Sequence, residues 1–487
     1  MRTSGIEKIG RRALIWVLVY SIPTFQAMLP VDDPDLWWHL RTGQWILEHG
    51  YVPMVDSFSV YGMGKPWVAY SWLFEIMLYV IYSMSGLVGI VIFTAVMSLL
   101  IALVVHRLIR RAELPLVLEI TLMAVALGSM KPVISPRSWL FSILFFAVEL
   151  SVLLSVRRSG KTILLWILPP LFALWANLHI QFIYGLAVIG FFLAEGIFNR
   201  FYNRDLNAEV PAGIALWPLF GVAIACFVAI FITPYHYHLL RPIFEISAQN
   251  GVFSNVVELM APSFRSPADW LVLALTLAAV FVLGWERKWH VLPLLLLLMG
   301  VALGFRARRD AWVVVVAAVA IIGEFCKIRL SDEIFSFTKP RIVGIAGVVV
   351  VLTYLIGDYR EITNPHLEQV IEKRFPAKAA DFIIKNRLSG PLFNSYDWGG
   401  YLIWRLPDLP VSIDNRSNVH GDKRIARLLA TWSGHKGWDK DPELLSARLV
   451  VSEISRPLMS LLRSDTRFEL VYEDSTAAVF VRAGNKS

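Results

Sequence analysis

The sequence predicts a polytopic α-helical membrane protein of about eleven spans, with a C-terminal α/β domain outside the bilayer. Three observations carry that expectation. The chain of 487 residues is 56% hydrophobic and 17% charged, against about 25% charged in a typical soluble chain. Its apolar residues gather in runs such as "VLPLLLLLMGVALGF" from Val291 and "AWVVVVAAVAIIG" from Ala311, close to the ~20 residues a helix needs to cross a bilayer. The pattern then stops at Gly357, beyond which polar and apolar residues mix.

The elements follow in order. Lys8, Arg11 and Arg12 precede an apolar stretch as in a signal peptide, but the stretch is long and no small-residue cleavage site follows. It is therefore read as the first span, 13–30. Hydropathy places the others near 86–106, 115–131, 138–156, 162–178, 180–198, 212–233, 268–284, 289–304, 310–326 and 341–357. The basic stretches 106–111, 157–161, 198–205, 285–288 and 326–341 fall in alternate loops. Positive charge stays on the cytoplasmic side, so these loops join the N-terminus there. Loops 31–70 and 234–267 then face outward, as does the C-terminus after an odd number of spans. "WLFEIMLYVIYSM" (72–84) is too short to cross and contains Glu75; a crossing would invert every later loop. It is read as an interfacial or re-entrant helix, which leaves a large first outer loop, 31–85.

The domains expected are thus 1–357 in the membrane and 358–487 outside it. In the latter, "PLFNSY" (391–396), "PVSID" (410–414), "ARLVVSE" (447–453), "FELVYED" (468–474) and "TAAVFVR" (476–482) read as strands, with helices over 376–388 and 422–432. The formal net charge of +8 does not point to nucleic acid, because the basic residues sit in short loops between apolar runs. Cys226 and Cys326, both in apolar segments, suit neither a disulfide framework nor a zinc site.

"VDDPDLWWHL" (31–40) places Asp32, Asp33 and Asp35 just after the first span. A carboxylate there can act as a general base on a hydroxyl or help hold a divalent cation, Mg²⁺ or Mn²⁺. The alternative is a cap: Asp33 or Asp35 starts the helix through "LWWHLRTGQWILEHG", and Gly50 stops it. Capping accounts for one acid and not three. Trp37 and Trp38 suit a membrane interface, and His39 is either a second proton carrier or a structural residue.

Several blocks together carry a resemblance: "DDPDLWWHLRTGQWILEHGYVPMVDSFSV" (32–60), "WVAYSWLFE" (67–75), "LWANLHIQFIYGLA" (174–187), "LFNSYDWGGYLIWRLPDLPVSIDNR" (392–416) and "VYEDSTAAVFVR" (471–482). They resemble a bacterial group of multi-pass membrane proteins. The span, acidic outer loop and soluble outer domain resemble the GT-C superfamily of membrane glycosyltransferases. The resemblance implies a polyprenyl-phosphate-linked sugar as donor, and inverting transfer to a glycan, lipid or protein hydroxyl at the outer face of the bacterial cytoplasmic membrane. By position, a loop acid would be the base, Asp33 first, then Asp35, then Asp32. Fixed positive charge would meet the leaving phosphate.

Outward cations are the candidates for that charge. Arg306, Arg308 and Arg309 lie in the short turn "FRARRD", against the positive-inside trend; phosphate binding competes with headgroup contact or pairing with acids. Lys131 and Arg137 lie in "KPVISPRSW" on the same side. Asn177, His179 and Gln181 interrupt apolar runs and either bond sugar hydroxyls or close a tight turn. His236, in "TPYHYHLLRP", and Glu258 are further outward groups. In the outer domain, Asp414 and Arg416 follow a strand-like run, as a binding pair or a structural one. The competing reading is a non-enzymatic scaffold or a lipid-linked-saccharide transporter, which should show inverted repeats or midplane charges.

Overall fold

The computed structural model describes residues 5–201, 216–247, 258–286, 290–326 and 339–484. The basic stretches expected at 198–205, 285–288 and 326–341 lie largely outside them. The chain divides into two compact units. The first comprises Met1–Leu29, Val91–Thr233 and Glu258–Ile362; the second comprises Pro30–Ile90, Pro234–Val257 and Thr363–Ser487.

The first unit is a helical bundle, and the eleven apolar segments are helical where described. Among the described residues, five helices, Trp72–Ala112, Leu116–Val133, Trp139–Ser159, Phe182–Phe201 and Pro267–Trp285, are long and apolar enough to cross a membrane, with a sixth if Val343–Tyr359 counts with the segment after it. Ala13–Ala27, Thr162–Leu178, Leu216–Ala229 and Val291–Arg306 are apolar but shorter. The protein is a helical membrane protein, and the count of eleven crossings stays an expectation.

Ala311–Phe325 is apolar on every side, the composition of a helix with no solvent face. Nearly all its side chains from Trp312 to Phe325 are buried. Close approach to it depends on glycine. A Cβ at Gly304 would lie 2.8 Å from Val314, and one at Gly323 would lie 2.1 Å from the Leu108 carbonyl oxygen. Small residues let membrane helices pack backbone to backbone in this way.

The second unit is built on a four-stranded sheet of order β1-β2-β4-β3. β1 (Leu392–Asn394) runs parallel to β2 (Leu449–Glu453), while β4 (Ala477–Arg482) is antiparallel to both β2 and β3 (Phe468–Glu473). Asp474 closes the β3–β4 hairpin by accepting the N–H groups of Thr476 and Ala477 at 2.7 and 2.8 Å.

The expected strand at 410–414 does not form. Asn394 accepts the Ser412 N–H (2.9 Å) and donates to the Ile413 carbonyl (2.7 Å), so a side chain satisfies groups that a ladder would have used. Val411 instead bonds to the N-terminal loop, through Val60 N–H (2.9 Å) and the Phe58 carbonyl (3.1 Å).

That loop belongs to the same core. The helix Asp35–His49 ends at Gly50, whose φ of 76° gives the left-handed stop. It packs on the helix Gly399–Arg405, where a Cβ at Gly400 would meet the Pro34 carbonyl oxygen at 2.6 Å. Trp37 lies edge-on to Tyr401 with ring centroids 4.9 Å apart.

Residues 72–109 form helix throughout except at Gly86 (φ 64°, ψ −150°). Thirty-eight residues at about 1.5 Å each would far exceed a ~30 Å hydrocarbon layer, and the break divides the length. Asn364 repairs it, accepting the Val88 N–H at 3.0 Å and donating to the Ser85 carbonyl at 3.1 Å.

At the centre of the second unit, Arg416 grips Asp414 in a two-point pair (2.8 and 2.7 Å) and reaches Asp56 at 2.7 Å. All three side chains are at most 1% exposed. Removing one partner of a buried ion pair costs about 3–5 kcal/mol, so Asp56→Ala and Arg416→Met should each destabilise the second unit by roughly that much, read by thermal unfolding and limited proteolysis of the full chain. Burial alone would raise the Asp414 carboxyl; Arg416 and then His420 outweigh it and hold it far below the usual range. A carboxyl depressed on folding stabilises above its unfolded value near 3.9, and the stabilisation fades as pH falls toward the folded one. Acid unfolding should therefore set in below about pH 4, and Asp414→Asn should flatten that slope.

Candidate functional site

Polar candidates gather at two places, one in each unit. In the second unit the acidic turn divides its labour. Asp33 is buried and its Oδ1 accepts the Asp35 N–H at 3.0 Å, while its carbonyl takes the Leu36 N–H at 3.3 Å. Asp33 thus folds the entry to the helix Asp35–His49 through an Asx turn, one residue ahead of the N-cap position, Pro34. Asp35 sits half-buried in the first turn, where the helix dipole favours negative charge.

Asp32 differs. It is 57% exposed and paired with Arg374, which is itself placed by Trp398, whose indole N–H donates to the Arg374 carbonyl at 3.1 Å. The Asp32 carboxyl is raised above its ordinary value. Partial burial is the main cause and Asp33 adds to it, while Arg374 opposes both.

The neighbouring aromatics and histidine are internal. Trp37 and Trp38 are buried, not placed at a membrane surface by exposure as the sequence suggested, and neither indole N–H has a protein acceptor. His39 is also buried, lying on Trp38 and 3.1 Å from Glu75 Oε1. Asp414 and Arg416 lie in the buried pair described above. His236 is exposed on the turn His236–Leu240 with φ 47°. Beside it, Tyr235 donates to the Pro53 carbonyl at 2.8 Å and accepts the Ala69 N–H at 3.1 Å.

In the first unit, the end of the bundle where Trp139–Ser159, Phe182–Phe201 and Ala311–Phe325 begin collects the remaining candidates. Most of the arginines there meet acids. Arg137 binds Glu258 (3.1 Å), Arg308 binds Asp269 (2.8 Å), and Arg309 Nε lies 3.9 Å from Asp310. The turn itself is pinned by backbone bonds from Arg308 to Met260 (3.0 Å) and from Arg309 to Glu258 (2.9 Å). Arg306 and Lys131 are exposed.

Gln181 donates to Asp310 at 2.7 Å, and Tyr184 donates to the other Asp310 oxygen at 3.2 Å. His179 bonds Ser142 Oγ at 2.8 Å. Asn177 donates to the carbonyls of Ala173 and Ile232, both at 2.7 Å, so it holds a turn rather than presenting an amide outward. Among the described residues, no three His, Cys, Asp or Glu side chains converge in a way that could hold a metal ion.

No family model matches the sequence, and no curated protein matches it. Among solved structures, the chain is similar to the apo form of the Archaeoglobus fulgidus oligosaccharyltransferase, with 12% identity, 97% of this chain and 75% of that chain covered, and a TM-score of 0.49. At that identity no correspondence of residues follows.

Arg374, Asp56, Asp269 and Asp310 were not singled out in the sequence. Each works by pairing with a distant residue, and only Asp310 had a local signal, as the acid ending "FRARRD". The different roles within the acidic turn are measurable. Asp33→Ala should cost about 1 kcal/mol, as loss of one intramolecular hydrogen bond does. Asp32→Asn should change stability by less than about 1 kcal/mol, because its ion pair is exposed. Asp310→Ala, which strands Gln181 and Tyr184, should cost about 2 kcal/mol. Thermal unfolding in detergent reads all three.

Proposed function

We propose that this chain is a membrane glycosyltransferase of the GT-C kind, moving a sugar from a polyprenyl-phosphate donor to an acceptor hydroxyl at the outer face of the membrane. The observation that carries the reading is Asp32: an exposed carboxylate of raised basicity, in the loop after the first apolar helix and fixed by Arg374. The sequence resemblance and the union of a helical membrane unit with a small α/β sheet support it.

In this mechanism Asp32 takes the acceptor proton as the oxygen attacks the anomeric carbon. The bond from that carbon to the phosphate oxygen breaks, and polyprenyl phosphate leaves with the electron pair. Attack opposite the leaving group inverts the anomeric centre. A phosphate is already a good leaving group, so fixed positive charge matters more than proton donation. Asp32 rather than Asp33 is the base because Asp33 is committed to the turn.

The test uses full-length protein in lipid with a panel of radiolabelled polyprenyl-phosphate sugars, with and without a chelator to read any need for Mg²⁺ or Mn²⁺. Asp32→Asn should lower transfer about 10²-fold or more. A base works deprotonated, so wild-type rate should fall as pH drops through the raised Asp32 value, above the usual aspartate range near 3.9, and the mutant should lack that limb. Unchanged transfer in Asp32→Asn, Asp33→Asn and Asp35→Asn would reject the assigned base. Movement of a lipid-linked saccharide across the bilayer without sugar transfer would favour the transporter. A reporter fused after Gly357 should lie outside the cytoplasm; a cytoplasmic signal would overturn the proposed orientation.

A further inference from the structure

The loop after the first apolar helix carries an exposed apolar surface that sugar transfer does not use. Between Gly50 and Pro66 the charged residues are Asp56 and Lys65, and Asp56 turns inward to Arg416 at 2.7 Å. Residues 54–67 form a tight hairpin. The Asp56 N–H donates to the Lys65 carbonyl at 2.9 Å, the Gly64 N–H to the Asp56 carbonyl at 3.0 Å, and the Trp67 N–H to the Met54 carbonyl at 3.0 Å. Gly64 makes the return with φ 73°, and a Cβ at Gly62 would lie 2.0 Å from the Asp56 carboxylate. Neighbouring residues of an extended arm face opposite sides, so Asp56 facing the core turns Val55 away from it.

Met54, Val55 and Met63 are 53, 45 and 51% exposed. Tyr51, just before the hairpin, is also exposed and stands edge-on to Trp45, with ring centroids 5.3 Å apart. The backbone bonds prevent these side chains from folding under the loop. Apolar surface held out in this way marks an interaction face.

Two observations identify what this face meets. The first is its tether. Pro53, next to Met54, accepts from the Tyr235 hydroxyl at 2.8 Å, and the Ala69 N–H donates to the same oxygen at 3.1 Å. Tyr235 comes six residues after the apolar helix Leu216–Ala229, a reach of at most roughly 20 Å, through the apolar Ile230, Phe231 and Ile232. On the other arm, the helix Trp72–Ile109 begins five residues after Trp67. The second is composition. The hairpin exposes methionine, valine and Lys65 but no carboxylate, and Glu48, the nearest exposed acid in the chain, is paired with Arg41 at 3.3 Å. Such a mixture suits the headgroup level of a bilayer, where phosphates favour cations. We propose that this hairpin docks on the bilayer, with Met54, Val55 and Met63 reaching the boundary between headgroups and acyl chains and Lys65 meeting the phosphates. No step of sugar transfer uses these residues.

The test uses the full-length protein reconstituted alone in liposomes. In a background lacking Cys226 and Cys326, a nitroxide is attached to Met54→Cys, Met63→Cys or Lys378→Cys, the last replacing an exposed lysine elsewhere in the second unit. Collisions with oxygen, which concentrates among acyl chains, should exceed those with a water-soluble nickel chelate at 54 and 63, and the order should reverse at 378. Nickel-dominated collisions at all three would overturn the docking, since the hairpin would then lie in water. Spin–spin broadening that grows with protein density in the membrane would also overturn it, by assigning the face to a second copy. The wild-type chain provides a parallel reading. A phospholipid with a carbene-generating group on its acyl chain should modify Met54, Val55 or Met63. Met54→Glu with Met63→Glu should lower that yield severalfold while modification of the apolar helices stays constant. Modification confined to the apolar helices of the wild type would reject the proposal.

Discussion

One guanidinium organises the second unit. Arg416 satisfies Asp414 through two parallel bonds and Asp56 through a third, with its flat face 4.6 Å from the Trp67 ring centroid. Arginine suits this place because its planar fork meets carboxylates two at a time and its faces tolerate aromatic neighbours. Such a group gains little net stability over an apolar core of the same shape, yet is costly to leave half-made. It therefore acts as a register pin. Asp56 comes from the N-terminal loop and Asp414 from a segment hundreds of residues later, and only one docking of the two satisfies all three charges. Asp56 also holds the loop's own turn, accepting from the Phe58 N–H at 3.0 Å and the Ser59 hydroxyl at 2.5 Å.

The acidic turn inherits its position from that docking. Pro34 lies against Gly400, Trp37 against Tyr401, and Arg374 reaches Asp32. A loop of this length would ordinarily sample many conformations. Here one face of it is core, so a single exposed carboxylate is presented on an otherwise immobilised turn.

The sequence made the helices legible because apolar runs and their ends are local signals, and four of the five strand-like runs became strands for the same reason. What it hid was non-local. The run 410–414 has strand composition, but Asn394 and the N-terminal loop compete for its backbone groups, and neither competitor is visible in the run. Asp56 looked like a loop residue, since nothing near it announces Arg416 360 positions away. The break before the second part of residues 72–109 was readable as the end of a short apolar segment. That Asn364 would complete it was not. The arginines of "FRARRD" were conspicuous because they oppose the usual charge distribution, whereas their acids come from separate loops whose individual charges are unremarkable.

The contrast between Asp32 and Asp33 shows why spacing alone ranks adjacent acids poorly. A base must meet solvent and substrate, and a capping acid must meet backbone N–H groups; consecutive residues on an extended turn point to different sides. If one acid bonds inward to the helix it starts, its neighbour is turned away from that helix. Asp33 bonds the Asp35 N–H, so Asp32 is the one left facing out. Arg374 then limits how far partial burial can raise its basicity, and keeps the carboxylate charged. Exposure on one side and a fixed cation on the other thus set Asp32 apart from the buried Asp33.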